Sequence, residues 1–157
     1  EVVPTPGKDY TVLIDYSHTP DSLENILKAV RGFCTGRIIA VFGCGGDRDR
    51  GKRPKMGRIA GQKADFVIVT SDNPRTEDPE AIIADILPGL KETHTPYIVR
   101  PDRREAIAYA IENHCPGDVI ILCGKGHEDY QIIGKTKVHM DEREIVAEIL
   151  EKRKREK

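Results

Sequence analysis

The sequence contains no tryptophan, three phenylalanines, five tyrosines and four cysteines in 157 residues. No two cysteines form a C-x2-C pair, which argues against a zinc site and a dithiol redox motif. We expect no signal peptide and no membrane partner, because no apolar run approaches the roughly 20 residues that a membrane span requires. Lysine plus arginine total 25 and aspartate plus glutamate 26, and a net charge of −1 predicts no nucleic-acid partner.

Composition indicates one ordinary globular domain, because 38% of the residues are hydrophobic and 32% are charged. Two of the cysteines end apolar runs, where a reduced cysteine behaves as a small hydrophobic residue. We therefore expect buried free thiols in a cytoplasmic protein. The four positions are Cys34, Cys44, Cys115 and Cys123.

Short apolar runs alternate with longer segments of helical periodicity. Runs rich in valine and isoleucine indicate a parallel sheet covered on both faces. The chain is therefore predicted to be a three-layer α/β domain, with helices on both faces of a mostly parallel sheet of about six strands. A hairpin or an antiparallel strand is expected over 130–140, followed by a final helix from Asp141 to about Arg153. The predicted parallel strands are Thr11–Tyr16, Arg37–Phe42, Asp65–Ser71, Tyr97–Arg100 and Asp118–Gly124.

The loops that follow four of these strands mix glycine or proline with charges of both signs. In open parallel sheets, ligands bind outside the carboxyl ends of the strands. These loops should therefore meet on one rim of the sheet, in a cleft that suits a zwitterion such as an amino acid. They are Asp15–Asp21, Gly43–Pro54, Ser71–Pro79 and Gly124–Tyr130.

The second loop nearly matches a phosphate-binding P-loop, since Gly46–Lys52 reads G-x4-G-K. A P-loop needs serine or threonine next, because that hydroxyl binds magnesium. Here the next residue is Arg53, and Asp47 and Asp49 would place carboxylates against the phosphates. The loop is therefore predicted to hold something other than a polyphosphate.

Each loop has a simpler interpretation when taken alone. The segment SDNPR is compatible with an Asx-type turn, Asp15 and His18 could cap the helix that follows them, and the glycines of GKGHE could serve only a turn. The four loops together are harder to explain in this way.

In chain order, DYSHTPDSLE, FGCGGDRDRGKRPKMG, VTSDNPRTEDP and GKGHEDYQI resemble the carboxy-terminal domain of the Mur ligases, and in particular the diaminopimelate-adding members of that family. Ser17 departs from the usual alanine of the first motif. The resemblance implies a Rossmann-like fold. It also implies that residues 1–157 are the third domain of a three-domain enzyme, without its UDP-sugar domain and its central ATPase domain, and that this domain has no ligase activity by itself.

The resemblance also implies roles for individual residues. The DNPR motif would recognise the distal end of meso-diaminopimelate, and two arginines would bind its carboxylate. The GKGHE motif would hold the distal ammonium through a backbone carbonyl and a carboxylate. The implied substrate-binding residues are Arg48, Asp72, Asn73, Pro74, Arg75, Gly124 and Glu128. The residues implied to line the ribose and adenine side of ATP are Asp15, Tyr16 and His18.

The implied reaction uses ATP and Mg²⁺, bound mainly by the central domain. The D-glutamyl carboxylate of UDP-N-acetylmuramoyl-L-alanyl-D-glutamate is phosphorylated, and the amine of diaminopimelate then attacks the acyl phosphate. No catalytic residue and no metal ligand is expected in this domain. Two alternatives remain open: a lysine-adding or cyanophycin-type ligase domain, and a non-catalytic Rossmann-like binding module. Arg75 favours diaminopimelate, because lysine-adding relatives generally lack that arginine.

Overall fold

A computed structural model describes residues 1–126 and 128–155. Within these ranges, five helices and eight strands follow one another, mostly in alternation. The strands are β1 (Val2–Val3), β2 (Thr11–Asp15), β3 (Ile38–Phe42), β4 (Phe66–Val69), β5 (Tyr97–Val99), β6 (Val119–Cys123), β7 (Tyr130–Ile133) and β8 (Thr136–His139). The helices are α1 (Pro20–Arg31), α2 (Lys52–Lys63), α3 (Pro79–Lys91), α4 (Arg103–Glu112) and α5 (Glu142–Arg155).

Six strands form one sheet in the order β1-β2-β6-β3-β4-β5. The five strands predicted from apolar runs are all present and all parallel to one another. The sixth, β1, was not anticipated, and it pairs antiparallel with β2 at the edge. A two-residue strand is too short to show an apolar pattern, so only its pairing reveals it. The predicted three-layer α/β class is confirmed.

The sheet has a hydrophobic core on each of its two faces, which explains why the central strands are apolar at every position. Along β3, Ile38, Ala40 and Phe42 join one core, while Ile39 and Val41 join the other. Helices α1, α2 and α3 cover the first face, and α4 and α5 cover the second. Because successive strand residues point to opposite faces, a strand buried on both sides needs no polar position.

The hairpin of β7 and β8 lies outside the main sheet, as a separate two-stranded sheet. It contacts the loop after β4 through an isolated parallel bridge between Arg75 and Ile133. The predicted hairpin is therefore confirmed, and it packs against one of the polar loops.

Helix α1 begins at a capping box. The Thr19 hydroxyl accepts a hydrogen bond from the backbone N–H of Ser22, and the Ser22 hydroxyl accepts one from the N–H of Thr19. The alternative that Asp15 and His18 cap this helix is therefore wrong. Of the helices within the described ranges, none is long and apolar enough to cross a membrane.

Candidate functional site

A polar cavity of about 190 Å³ opens where β2, β3, β4 and β6 end. Eight of the ten residues predicted for the site line it, from all four polar loops. The exceptions are Asp15 and Pro74. The lining residues are Tyr16, His18, Gly43, Cys44, Gly45, Arg48, Lys52, Asp72, Asn73, Arg75, Gly124 and Glu128.

Asp15 and Pro74 do not line the cavity. The Asp15 carboxylate accepts a hydrogen bond from the Ser17 hydroxyl. The carbonyl of Pro74 packs against Gly46 so closely that a β-carbon there would overlap it, and the Gly46 N–H donates to the carbonyl oxygen of Asn73 at 2.8 Å. Glycine at position 46 therefore allows the loop after β3 to contact the DNPR segment.

The β7–β8 hairpin holds the DNPR segment in place. Gln131 donates from Nε2 to the Asp72 carbonyl at 2.7 Å, and the Ile132 N–H donates to Asn73 Oδ1 at 2.9 Å. The Arg75 N–H donates to the Ile132 carbonyl at 3.0 Å. These bonds involve neighbours in space rather than the local backbone, so the segment is more than an Asx-type turn.

Arg75 has a left-handed backbone conformation, with φ of 53°. Such a conformation is uncommon for a residue with a side chain and concentrates at functional sites. Its Nη1 donates to the Gly46 carbonyl at 2.9 Å. A β-carbon at Gly45 would lie 3.0 Å from Arg75 Nη1 and 3.5 Å from Arg48 Cγ. The two predicted carboxylate-binding arginines thus flank the same glycine.

Arg53, which follows the P-loop-like stretch, is completely buried. Its guanidinium donates to Glu77 at 2.8 and 3.0 Å, to Asp85 at 2.9 Å and to the Gly45 carbonyl at 3.0 Å. The hydrogen bonds from Arg53 lower the pKa of Glu77 to about 2. Arg53 therefore ties the Arg48 loop to the segment after Arg75. The sequence offered no signal for this, because Arg53 stands in a run of similar charges.

The P-loop-like stretch is not arranged to bind phosphates. Lys52 Nζ donates to the His18 carbonyl at 2.8 Å. The Asp47 carboxylate accepts from the Thr76 hydroxyl at 2.8 Å. The lysine and the loop are therefore used to connect neighbouring loops, in agreement with the rejection of a P-loop.

Lys125, between the two glycines of GKGHE, was missed by the sequence analysis. Its side chain is fully buried, and Nζ donates to Asn73 Oδ1 at 2.9 Å. The ammonium lies 3.5 Å from Glu128 Oε1 and 3.7 Å from Asp72 Oδ1. Burial lowers the pKa of Lys125, while the charges of Asp72 and Glu128 oppose that shift. A lysine directly after a buried strand was the available signal.

The two carboxylates beside Lys125 differ in their remaining partners. Glu128 Oε2 accepts from the Tyr130 hydroxyl at 3.2 Å. Asp72 Oδ1 is buried, and it has no hydrogen-bond donor among residues 1–126 and 128–155. His127 of the same motif lies outside the described residues.

Tyr16 and His18 form an aromatic pair at the cavity rim, with ring centroids 4.8 Å apart. Tyr16 is 49% exposed. An exposed ring face can stack on a heteroaromatic ligand.

All four cysteines are free thiols, as expected, but only Cys44 and Cys123 are buried. Burial raises the pKa of Cys44 to about 12. The predicted burial was wrong for Cys34, which is half-buried, and for Cys115, which is exposed. Neither lies in a strand. Within the part of the chain that the structure describes, no group of three His, Cys, Asp or Glu side chains could hold a metal ion.

The sheet order, the two covered faces and the polar cavity at the carboxyl edge define a Rossmann-like α/β domain with a candidate ligand-binding site. Residues 1–126 match the family described as Mur ligase, glutamate ligase domain, and the chain belongs to the Mur ligase family.

Two relatives of high sequence identity carry the same enzyme name. The chain is 60% identical over 144 residues to the UDP-N-acetylmuramoyl-L-alanyl-D-glutamate–2,6-diaminopimelate ligase of Caldanaerobacter subterraneus subsp. tengcongensis, covering 92% of this chain and 30% of that protein. It is 59% identical over 148 residues to the ligase of the same name from Thermosynechococcus vestitus, covering 94% and 30%. This chain thus spans about 30% of the length of these curated relatives.

Solved structures agree on the fold. A structure of UDP-N-acetylmuramoyl-L-alanyl-D-glutamate–2,6-diaminopimelate ligase matches with a TM-score of 0.91 and 42% identity, over 98% of this chain and 31% of that one. A domain from a Haemophilus ducreyi ligase, solved by itself, matches with a TM-score of 0.59 and 18% identity, over 96% of this chain and 98% of that one. The second likeness shows the fold alone, in a domain without further domains attached.

Proposed function

We propose that this chain is the amino-acid-binding domain of a cytoplasmic ligase that adds meso-diaminopimelate to UDP-N-acetylmuramoyl-L-alanyl-D-glutamate in peptidoglycan synthesis. One observation carries the proposal. Two arginines, Arg48 and Arg75, share a cavity of about 190 Å³ with two carboxylates, Asp72 and Glu128. A zwitterionic amino-acid end needs charges of both signs in one small space. The names of the 60% and 59% identical relatives support the choice of amino acid.

The arginines would bind the distal carboxylate of diaminopimelate. Arg75 uses Nη1 for the Gly46 carbonyl, and its remaining N–H groups would donate to the ligand carboxylate. Asn73 holds its amide oxygen between Lys125 and the Ile132 N–H. Its amide nitrogen would be a further donor for the same carboxylate. Planar donors of this kind recognise carboxylates well.

The distal ammonium would lie between Asp72 and Glu128. Asp72 lines the cavity, and its Oδ1 has no hydrogen bond within the described ranges. The Asp72 carboxylate would therefore be one acceptor for the ammonium. The Gly124 carbonyl would add a third acceptor. Gly124 has φ of +115°, a conformation that glycine adopts without strain.

The residues of this chain are suited to binding the adenine base of ATP rather than its phosphates. Tyr16 and His18 present exposed rings at the cavity rim, where adenine could stack. Lys52 and the loop before it are engaged with protein groups. ATP with Mg²⁺ would activate the D-glutamyl carboxylate by phosphorylation, and the phosphates and the metal ion would be bound by parts of the ligase outside this chain.

The contribution of this domain would be positioning. Holding the distal end of diaminopimelate aims the reacting amine, and in well-oriented systems proximity lowers a barrier by about 7–11 kcal/mol. Selectivity against lysine would follow from polar groups left unpaired, since such sites discriminate by roughly 10⁴-fold or more. Lysine has no distal carboxylate for Arg75 and Arg48.

The proposal is tested by backbone amide NMR of this chain, titrated in parallel with meso-diaminopimelate and L-lysine. We expect shifts at Arg48, Asp72–Arg75 and Gly124–Glu128 with diaminopimelate alone. Equal responses to both ligands would contradict the assignment to diaminopimelate, and shifts on another face would contradict the site. If neither ligand causes shifts, the same pair of amino acids is compared as substrates of the longer ligase, where Arg75→Ala should remove the preference for diaminopimelate. An unchanged preference in that variant would refute the role of Arg75.

A further inference from the structure

Lys125 places a fixed positive charge beneath the proposed amino-acid pocket. Its side chain is fully buried, and its Nζ contacts groups from two different loops, Asn73 at 2.9 Å and Glu128 at 3.5 Å. The ring of Tyr130 lies 5.6 Å from Nζ. A buried ammonium is costly unless anionic groups compensate it. The two carboxylates of the pocket provide that compensation.

We propose that Lys125 is an internal counter-ion and a specificity-determining residue. It neutralises one of the two carboxylates, Asp72 and Glu128, so that the pocket accepts a single ligand ammonium accompanied by a carboxylate. This inference rests on the proposed function, because it concerns how the same pocket selects its amino acid.

The charge count carries the argument. Around the ammonium position, Asp72 and Glu128 contribute two negative charges and Lys125 one positive charge, which leaves one negative charge for one ligand ammonium. Arg48, Lys52 and Arg75 line the same cavity, but among the described residues only Lys125 forms ion pairs with Asp72 and Glu128. Arg103 also acts on Lys125 through its charge, but its side chain is paired with Glu142 at 2.9 Å. The local balance therefore depends on Lys125.

Removing the lysine charge should change selectivity rather than only affinity. Two uncompensated carboxylates attract a bare ammonium more strongly and repel a ligand carboxylate. For charges about 5 Å apart, an effective dielectric constant near 20 still gives more than a tenfold change in affinity. The side-chain ammonium of lysine should gain from this change, while the zwitterionic end of diaminopimelate should lose.

The test compares Lys125→Met with Lys137→Met in the full ligase that contains this chain. Lys137 is a matched control, since it is exposed on β8 and its Nζ lies 4.4 Å from the centroid of the same tyrosine ring. We measure kcat/KM for meso-diaminopimelate and for L-lysine. The ratio of the two values should fall at least tenfold in Lys125→Met, mainly through KM, and should stay unchanged in Lys137→Met.

An unchanged ratio in an active Lys125→Met enzyme would overturn the inference, because a merely structural lysine affects both amino acids equally. If the wild-type ligase itself does not prefer diaminopimelate, the proposed function fails instead, so the two failures are distinguishable. If the variant does not fold, ¹⁵N NMR of the lysine side chains in the wild-type chain decides. A charged Lys125 ammonium at pH 7 that shifts when meso-diaminopimelate binds supports the counter-ion, and a neutral Lys125 amine refutes it.

Discussion

Replacing Arg103 by methionine, a side chain without the charge and the hydrogen-bond donors, should strongly destabilise the domain. The arginine is 1% exposed. It donates from Nε to Glu142 at 2.9 Å, and from its two terminal nitrogens to the carbonyls of Ser71 and Cys123, each at 2.9 Å. It thereby joins α4 and α5 to the carboxyl ends of β4 and β6. Without it, a buried carboxylate and two buried carbonyls lose their donor.

The expected cost can be worked out from these contacts. Breaking a buried ion pair by removing one partner costs about 3–5 kcal/mol. Glu142 Oε1 already has no hydrogen-bond partner among the described residues. Once Arg103 is removed, the buried Glu142 carboxylate therefore loses its cation and has no second donor to compensate it. With a urea m-value of about 2 kcal/mol/M, the unfolding midpoint should fall by about 1.5–2.5 M.

The adjacent arginine provides the control. Arg104 pairs with Glu148 at 2.5 Å, but both side chains are more than half exposed. An exposed pair contributes about 0–1 kcal/mol, so Arg104→Met should shift the urea midpoint by about 0.5 M or less. Urea unfolding followed by far-UV circular dichroism measures both variants. Similar midpoints for the two variants would refute the reasoning that burial makes the Arg103 pair indispensable.

Two further predictions concern the loops of the site. Because hydrogen bonds from Arg53 lower the pKa of Glu77 from 4.5 to about 2, the stabilisation from this pair is present above pH 4.5 and is lost as the pH falls towards 2. The urea midpoint of Glu77→Gln should therefore depend less on pH in that window than the wild-type midpoint, and parallel curves would contradict the pairing. Gly46→Ala should cost about 2 kcal/mol or more, because the added carbon meets the Pro74 carbonyl. Gly7→Ala, in open space at φ of 72°, should cost only about 1 kcal/mol in the same urea assay, and equal losses would exclude the close contact at Gly46.

The regular elements were predictable because their signals are local. A strand buried on both faces must be apolar throughout, so β3 and β6 stand out in the sequence without any knowledge of their neighbours. The strand-end rule then brought Arg48, Arg75 and Glu128 to one rim, and the structure has all three in one cavity. Their ligand-binding roles stay predictions.

What the sequence by itself determined was the α/β class, the five parallel strands and the loops that carry the charged residues. The tertiary structure alone decided which charges are buried. Arg53, Lys125 and Arg103 look like their many charged neighbours in the sequence, but they are buried because partners 24, 52 and 39 residues away surround them. Burial of a charge depends on groups that the whole fold brings together, so it cannot be predicted from the residues next to it in the sequence.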